Sequence, residues 1–266
     1  EYFFERDFMK KFIAFAIVLS ALNVSLAAEN PCDVKLGIHS AVTPVERSDE
    51  WWMPRHISVL EKISDRHVDL IMIGDSITHG WEKAGAPVWE KYYANRNAVN
   101  MGFSGDETQH VLWRLEHGEV NNINPKLAVL MIGTNNSNGD EYTSEQIADG
   151  VKAIVCQLRT RLPNTKILIL AIFPRGSAEQ RKDRANLKDA SYNPQWEKND
   201  KANKLIKKIA DNKTIYYLDI NKKFLNKKGQ LPVEIMPDLL HPNKKGYEIW
   251  AASMESMIRK LMNEKK

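Results

Sequence analysis

The sequence predicts an α/β fold in which a five-stranded parallel sheet carries helices on both faces. Three observations support this prediction. Short apolar runs alternate five times with segments of helical periodicity, which is the pattern of successive βαβ units. Each apolar run ends in small or polar residues, as buried strands do where they lead into a loop. The chain has 266 residues, of which 43% are hydrophobic and 27% charged, and this is enough for one sizeable core.

The first 28 residues have the pattern of a secretory signal peptide that starts at Met9. A basic pair, Lys10 and Lys11, precedes the apolar run 12–22, and small residues follow it at the expected cleavage site. We expect residues 1–28 to take no part in the fold, with residues 1–8 an artefact of an upstream start site. The run is short for a membrane span, and an uncleaved anchor is the alternative. The predicted location is therefore secreted or periplasmic.

Residues 29–50 lack periodicity and are expected to form an N-terminal extension that lies over a domain at 51–266. Export would bring Cys32, in this extension, and Cys156 into an oxidising compartment where the two can pair. Their separation in space cannot be read from the sequence, so the pairing stays open at this stage.

The domain opens with a helical pattern whose buried face is formed by Ile57, Leu60 and Ile63. Trp51 and Trp52 stand before it, and they either pack against the extension or form a platform for a substrate. The predicted strands that follow are 68–73, 98–102, 127–133, 166–173 and 214–218. The predicted helices are 88–93, 107–116, 144–162, 198–210 and 244–261.

In an open parallel sheet, ligands bind beyond the carboxyl ends of the strands. The loops expected at that edge are 74–80, 102–107, 133–143, 173–198 and 219–243. The first of them places Ser76 directly after a buried strand, in a Gly-Asp-Ser turn. Such a tripeptide is common in turns, so its meaning depends on what the other loops supply.

The other loops offer the partners that a serine nucleophile needs. In the last loop Asp238 precedes His241 by three residues, which would allow the carboxylate to orient an imidazole that takes the Ser76 proton. Gly105 stands just before a helix and is the predicted backbone donor to an oxyanion, with Asn135 as a second, uncharged donor. The alternatives are a solvated histidine and ordinary Gly and Asn turn residues.

Four short motifs in this order resemble those of the SGNH (GDSL) hydrolases. The motifs are Gly74-Asp75-Ser76, Asn-Met-Gly-Phe-Ser-Gly-Asp at 100–106, Gly-Thr-Asn-Asn at 133–136 and Asp-Leu-Leu-His at 238–241. The segment 111–116 is also similar to the branch formed by the catalytic subunits of brain-type platelet-activating-factor acetylhydrolase and their bacterial relatives. Ile77 replaces the leucine of the usual Gly-Asp-Ser-Leu motif, which leaves the nucleophile unchanged.

The resemblance implies a three-layer α/β/α sandwich and a carboxylic ester hydrolase. By this resemblance Ser76 is the nucleophile, His241 the base and Asp238 its partner. The backbone N–H groups of Ser76 and Gly105 and the amide of Asn135 would form the oxyanion hole. The exported N-terminus distinguishes this chain from the cytosolic animal enzymes and argues against their lipid substrate.

We therefore expect an exported esterase that removes small acyl groups, most readily acetyl, from carbohydrate. The alternatives are a lysophospholipase or lipid acetylhydrolase of the platelet-activating-factor type, and a non-catalytic glycan-binding module on the same fold. The long loop 174–199 is expected to shape the substrate pocket through Arg175, Tyr192 and Trp196, unless it is only a surface loop. We expect no metal and no cofactor, because zinc, P-loop and dinucleotide motifs are absent. The net charge of +4 gives no case for nucleic acid.

Overall fold

A computed structural model of the chain describes residue 32 and residues 37–264. The proposed signal peptide and most of the extension before residue 37 lie outside the described residues. The five strands are β1 Leu70–Gly74, β2 Ala98–Gly102, β3 Leu127–Met131, β4 Lys166–Leu170 and β5 Ile215–Leu218. The α-helices are α1 Trp52–Ser64, α2 Ser76–His79, α3 Ala86–Tyr92, α4 Thr108–Arg114, α5 Ser144–Arg161, α6 Ala178–Lys182, α7 Pro194–Ile206 and α8 Lys244–Leu261.

The strands form one parallel sheet in the order β2-β1-β3-β4-β5. Successive side chains of a strand point to opposite faces, and here both faces are buried. Along β1, Leu70 and Met72 belong to one apolar cluster while Ile71 and Ile73 belong to the other. The predicted fold, a parallel sheet between two helical layers, is confirmed.

The two apolar clusters identify the helices of each layer. One cluster joins the sheet to α1, α4, α5 and α7, and the other joins it to α3 and α8. The helices are amphipathic, so each layer follows from which stripe of a helix is apolar. None of the helices in the described part of the chain combines the length and the apolarity that a membrane crossing requires.

Helices α1 and α7 begin well before the first residue predicted for each of them. Helix α1 begins at Trp52, ahead of its first predicted apolar residue, and buries that indole completely. Helix α7 begins at Pro194 because the Asn193 side chain accepts a hydrogen bond from the backbone N–H of Trp196, and proline suits the first helical turn. Trp196 therefore belongs to a helix and not to the long loop.

The described part of the N-terminal extension lies against the helical layer of α4 and α5. The backbone carbonyl of Ala41 accepts a hydrogen bond of 2.8 Å from the Thr108 hydroxyl, and Ala41 is fully buried. Cys32 is joined to Cys156 of α5 by a disulfide whose Cα atoms are 5.4 Å apart. The pairing that the sequence left open is thus present in the structure.

Candidate active site

Ser76 is held at the carboxyl edge of the sheet by a tight turn between β1 and α2. Asp75 caps the helix, since its Oδ1 atom accepts a hydrogen bond of 2.9 Å from the backbone N–H of Ile77. Gly74 is required just before it, because a Cβ atom there would lie 2.4 Å from the carbonyl oxygen of Met131. The turn presents the Ser76 hydroxyl at the edge where parallel sheets bind ligands.

His241 and Asp238 meet Ser76 across 165 residues of sequence. The Oγ atom of Ser76 lies 2.8 Å from Nε2 of His241, and Nδ1 of His241 lies 2.6 Å from Oδ2 of Asp238. The other carboxylate oxygen of Asp238 accepts hydrogen bonds from the backbone N–H groups of Leu240 and His241. These bonds shape a turn in which Leu239 adopts the left-handed conformation, with φ 59°.

The electrostatics of this turn suit an ionised carboxylate beside an imidazole. Burial by itself would raise the pKa of Asp238, but the hydrogen bonds from the side chain and backbone of His241 outweigh it and hold the pKa well below its ordinary value. An ionised Asp238 keeps the Nδ1 proton on its own side of the ring. Nε2 is then free to accept the Ser76 proton, which is the geometry of a Ser-His-Asp triad.

The two predicted oxyanion elements lie in neighbouring loops that touch. The Nδ2 atom of Asn135 donates a hydrogen bond of 2.8 Å to the backbone carbonyl of Asp106, the residue after Gly105. Gly105 has φ 79°, a conformation that favours glycine, and an added Cβ would lie 2.9 Å from the guanidinium of Arg47. Their roles as donors to an oxyanion remain a prediction.

A pocket of about 290 Å³ opens beside the Ser76 hydroxyl. Its lining residues are Ser76, His79, Gly80, Lys83, Ala84, Ser104, His241, Pro242 and Tyr247. Among these residues His79 faces the site, with Nδ1 lying 3.0 Å from the Ser104 hydroxyl. Burial, aided by Arg55, lowers the pKa of His79 to about 4, so this imidazole is neutral at pH 7.

The prediction that Arg175, Tyr192 and Trp196 contact the substrate is not supported by their positions, because none of them lines the pocket beside Ser76. Trp196 is 4% exposed and packs in the core, because α7 begins earlier than predicted. Tyr192 is exposed and rests against the Trp196 ring. Arg175 is 1% exposed and turns inward to the loop after β3.

A family model described as the GDSL-like lipase/acylhydrolase family matches residues 72–249, which is more than half of the chain. The chain belongs to this family. The predicted resemblance is therefore confirmed, and so is the expectation that the chain is an acylhydrolase. Ser76, Asp238 and His241 all fall within the matched segment.

This acylhydrolase has well-aligned relatives. It is 33% identical over 222 residues to platelet-activating factor acetylhydrolase IB subunit alpha2 of Homo sapiens, covering 82% of this chain and 88% of that one. A GDSL-like lipase from Bacteroides thetaiotaomicron superposes with a TM-score of 0.62 at 19% identity, covering 78% and 97% of the two chains. A carbohydrate acetylesterase family member from Sinorhizobium meliloti gives 0.55 at 15% identity, covering 74% and 99%. At these identities the two structures support the fold alone.

A buried network of charges behind the acylhydrolase's site has no counterpart in the sequence prediction. Arg114 is fully buried and binds the carboxylates of Asp106 and Glu119, while His56 contacts Glu119 at 3.0 Å. Segment 111–116 was noted only for its similarity to relatives. One sequence feature could have predicted this network: Arg114 lies three residues after Val111, on the apolar stripe of its helix. A charged side chain on that stripe is buried and requires a partner of opposite charge.

Among the residues that the structure describes, no group of three or more His, Cys, Asp or Glu side chains is arranged to hold a metal ion. The side chains that meet at this edge of the sheet are a serine hydroxyl, an imidazole and a carboxylate. Arg47, which the sequence did not single out, adds a hydrogen bond of 2.7 Å to the carbonyl of Ser104 and fixes the loop that carries Gly105.

Arg175 is expected to position the loop that carries Asn135. Its Nη1 atom donates to the Thr134 carbonyl at 2.6 Å, and the next residue, Gly176, donates its backbone N–H to the Leu239 carbonyl at 2.8 Å. Arg175 thus joins the Asn135 loop to the loop of the triad. We expect Arg175→Met to lower kcat roughly 10- to 100-fold, with a smaller change in KM, because a displaced Asn135 loop misplaces the reacting groups.

The measurement is steady-state kinetics on 4-nitrophenyl acetate, with thermal unfolding to verify the folded state. Arg184→Met is the control, because Arg184 is exposed in the same loop and the variant should keep the wild-type kcat and KM. If Arg175→Met raises KM while kcat is unchanged, Arg175 contacts substrate after all and the positioning role is wrong.

The contribution of Asp75 to the stability of the protein is expected to depend on pH. It is 1% exposed, and its Oδ2 atom has no hydrogen-bond partner among the described residues. Burial raises its pKa to about 7, against the opposing hydrogen bond from Ile77. Between about pH 4 and pH 7 the folded protein keeps a proton that the unfolded chain has released, so the contribution of Asp75 to stability falls as the pH rises and is constant above that window.

Asp75→Asn removes this titration and keeps an oxygen acceptor for the Ile77 N–H. We expect the unfolding free energy of the variant, relative to wild type, to increase from pH 4 to pH 7 and then to level off. Denaturant unfolding at a series of pH values measures it, and the difference from wild type cancels the titration of groups that the two proteins share, such as His79. A difference that does not vary with pH would show that Asp75 is ionised throughout.

Proposed function

We propose that this acylhydrolase is an exported serine esterase that removes small acyl groups, acetyl most readily, from carbohydrate through an acyl-enzyme intermediate. The observation that carries the catalytic part is the contact of 2.8 Å between the Ser76 hydroxyl and the His241 imidazole, with Asp238 bound to the other ring nitrogen. The three side chains have the connectivity of a nucleophile, a base and an orienting acid.

In the proposed reaction the Oγ atom of Ser76 attacks the ester carbonyl while its proton passes to Nε2 of His241. The carbonyl oxygen becomes an oxyanion and accepts hydrogen bonds from the N–H groups of Ser76 and Gly105 and from the Asn135 amide. The bond to the leaving oxygen then breaks, and His241 protonates that oxygen. Water, deprotonated by His241, hydrolyses the acyl-serine and releases the carboxylic acid.

The preference for a small acyl group is supported by the limited space beside Ser76. The pocket of about 290 Å³ is at the low end of ligand sites, and it is shared between the acyl group and the leaving group. Tyr247 lines this pocket, and its hydroxyl donates to the Ile77 carbonyl at 2.7 Å, which holds the phenol ring in place.

Export is supported by the disulfide between Cys32 and Cys156, because disulfides persist mainly in oxidising compartments. These are the only two cysteines in the sequence. We expect protein isolated without reductant to take up no alkylating reagent under denaturing conditions, and to take up two equivalents after reduction. Two free thiols in protein from its native compartment would contradict export.

The lipid acetylhydrolase is the second candidate, and the 33% identity to the platelet-activating factor acetylhydrolase subunit favours it. Acetate release from acetylated xylan and from O-acetylated sialic acid, compared with release from a 2-acetyl-sn-glycero-3-phosphocholine lipid, separates the two. We expect the carbohydrates to be the better substrates, and faster release from the lipid would select the second candidate. Labelling of Ser76 by an organophosphonate tests the binding-module alternative, which has no activated serine to label.

A further inference from the structure

A second pocket continues from the one beside Ser76. It has a volume of about 450 Å³, and we call it the Trp51 cleft, lined by Arg47, Trp51, His79, Lys83, Ser104 and Gly105. His79, Lys83 and Ser104 also line the first pocket. A ligand bound at Ser76 can therefore extend along one continuous surface to Trp51.

The reaction direction indicates which part of the substrate occupies this surface. His241 must hand its proton to the leaving oxygen, so the leaving group lies on the side of the imidazole. His241 lines the first pocket together with Lys83, and Lys83 also lines the Trp51 cleft. The Trp51 cleft is thus placed for the leaving group.

The charges of the cleft favour an anion. Its lining residues include two cations, Arg47 and Lys83, and no carboxylate. Arg47 is already paired with Asp49 and Asp106 at 2.7 and 3.3 Å. Lys83 is exposed, and its ammonium group has neither a hydrogen bond nor an ion pair with any residue that the structure describes, so this group is free to bind an anionic substituent.

Trp51 supplies the apolar surface of the cleft. It is 39% exposed, and its ring is held between neighbours, with the His79 ring centroid 6.1 Å away and the Arg47 guanidinium 5.7 Å away. A partly exposed indole with polar groups around it can pack against the apolar face of a sugar ring while the hydroxyls of the sugar bind the rim.

We propose that the Trp51 cleft binds the leaving group of the substrate and that this leaving group is an anionic sugar, with its ring against Trp51 and its carboxylate on Lys83. The proposal rests on the esterase function proposed above and adds the class of carbohydrate. A phospholipid headgroup would offer the same negative charge. Among the described residues with large exposed apolar side chains, only Trp51 lines the cleft, so the cleft itself offers little apolar surface to lipid tails.

The test compares two substrates in which one substituent is either charged or neutral. Acetylated methyl glucuronoside and its methyl ester carry the same acetyl groups and the same sugar, with and without the carboxylate. We expect wild-type kcat/KM to be about fivefold higher for the acid, the size of one partly exposed ion pair. Lys83→Gln should reduce this ratio to about one, and Lys83→Glu should reverse it by a similar factor.

The controls separate this proposal from the esterase function. Lys201→Gln, an exposed lysine of α7 that pairs with Glu197, should keep the wild-type ratio. Trp51→Ala should raise KM for both sugars. If acetate release requires Ser76 but the acid-to-ester ratio is one, or does not respond to Lys83→Glu, the anionic subsite is wrong while the esterase stands.

Two further outcomes also decide the matter. A 2-acetyl phosphocholine lipid that outperforms both sugars, with the same dependence on Lys83, would assign the cleft to a phosphate headgroup and overturn the anionic sugar. Failure of the wild-type protein to hydrolyse 4-nitrophenyl acetate or any other ester would overturn the proposed function, and the subsite with it.

Discussion

Replacement of Ser76 by alanine is expected to lower kcat for 4-nitrophenyl acetate by at least about 10⁴-fold. The hydroxyl is the only group of the site that lies 2.8 Å from His241 Nε2, and alanine leaves the imidazole with nothing to deprotonate but water. The substitution removes one oxygen from a partly buried position, so the fold should be retained. Single-turnover release of nitrophenol and thermal unfolding measure the two effects.

A matched control is Ser191→Ala, which removes an exposed hydroxyl whose contact is the side chain of Gln230. This variant should keep wild-type activity. Ser76→Ala protein that is folded and still active would mean that another residue is the nucleophile, and the triad would be wrong. Loss of covalent labelling by an organophosphonate in Ser76→Ala, with labelling intact in Ser191→Ala, would locate the reactive hydroxyl.

Replacement of Arg114 by methionine is expected to lower the free energy of unfolding by about 3 to 5 kcal/mol. The Arg114 Nε atom lies 2.9 Å from the Asp106 carboxylate, another of its nitrogens binds Glu119, and its guanidinium lies 3.9 Å from the Phe103 ring centroid. Methionine fills much of the volume but removes the cation that the two buried carboxylates share, which leaves Asp106 with Arg47 at 3.3 Å and Glu119 with His56. Burial already raises the pKa of Asp106, in spite of Arg114 and the hydrogen bond from Trp52.

Urea unfolding of Arg114→Met, compared with the exposed Arg184→Met, measures this cost. The control should change stability by no more than about 0.5 kcal/mol. We also expect esterase activity to fall, since Asp106 adjoins Gly105 and its carbonyl holds Asn135. A loss below about 1 kcal/mol would mean that the two carboxylates are protonated in the folded state, and Arg114 would then contribute packing and little charge compensation.

Much of the fold could be predicted because local sequence patterns specify the strands and helices. Strand β1 is a continuous apolar run, since both of its faces are buried, and it ends at Gly74 where the chain must turn tightly. Ser76, Asp238 and His241 were found by the same means, because polar residues that follow buried strands gather at one edge of a parallel sheet. The start of α7 also has a local signal, namely the Asn193 cap followed by Pro194, but it was predicted four residues too late.

The burial of loop side chains and the lining of the pockets depend on long-range contacts, which produce no periodic pattern in the sequence. Arg175 lies in a long loop, where no helical or strand period dictates which side chain turns inward, and it is buried. The same holds for Trp51 and Lys83, which reach one cleft from different segments. The buried charges around Arg114 likewise form only when α4 packs against the extension and α1.

The sequence by itself therefore determined the order in which strands and helices follow one another along the chain, the types of side chain at the sheet edge and the family resemblance. These features depend on periodicity and on residue type at strand ends. Only the tertiary structure decided which residues line the pocket, which loop side chains are buried, and that Cys32 and Cys156 meet. The physical reason is that a side chain's direction in a loop is determined by partners distant in the chain, whereas its role in a helix or strand follows from its neighbours.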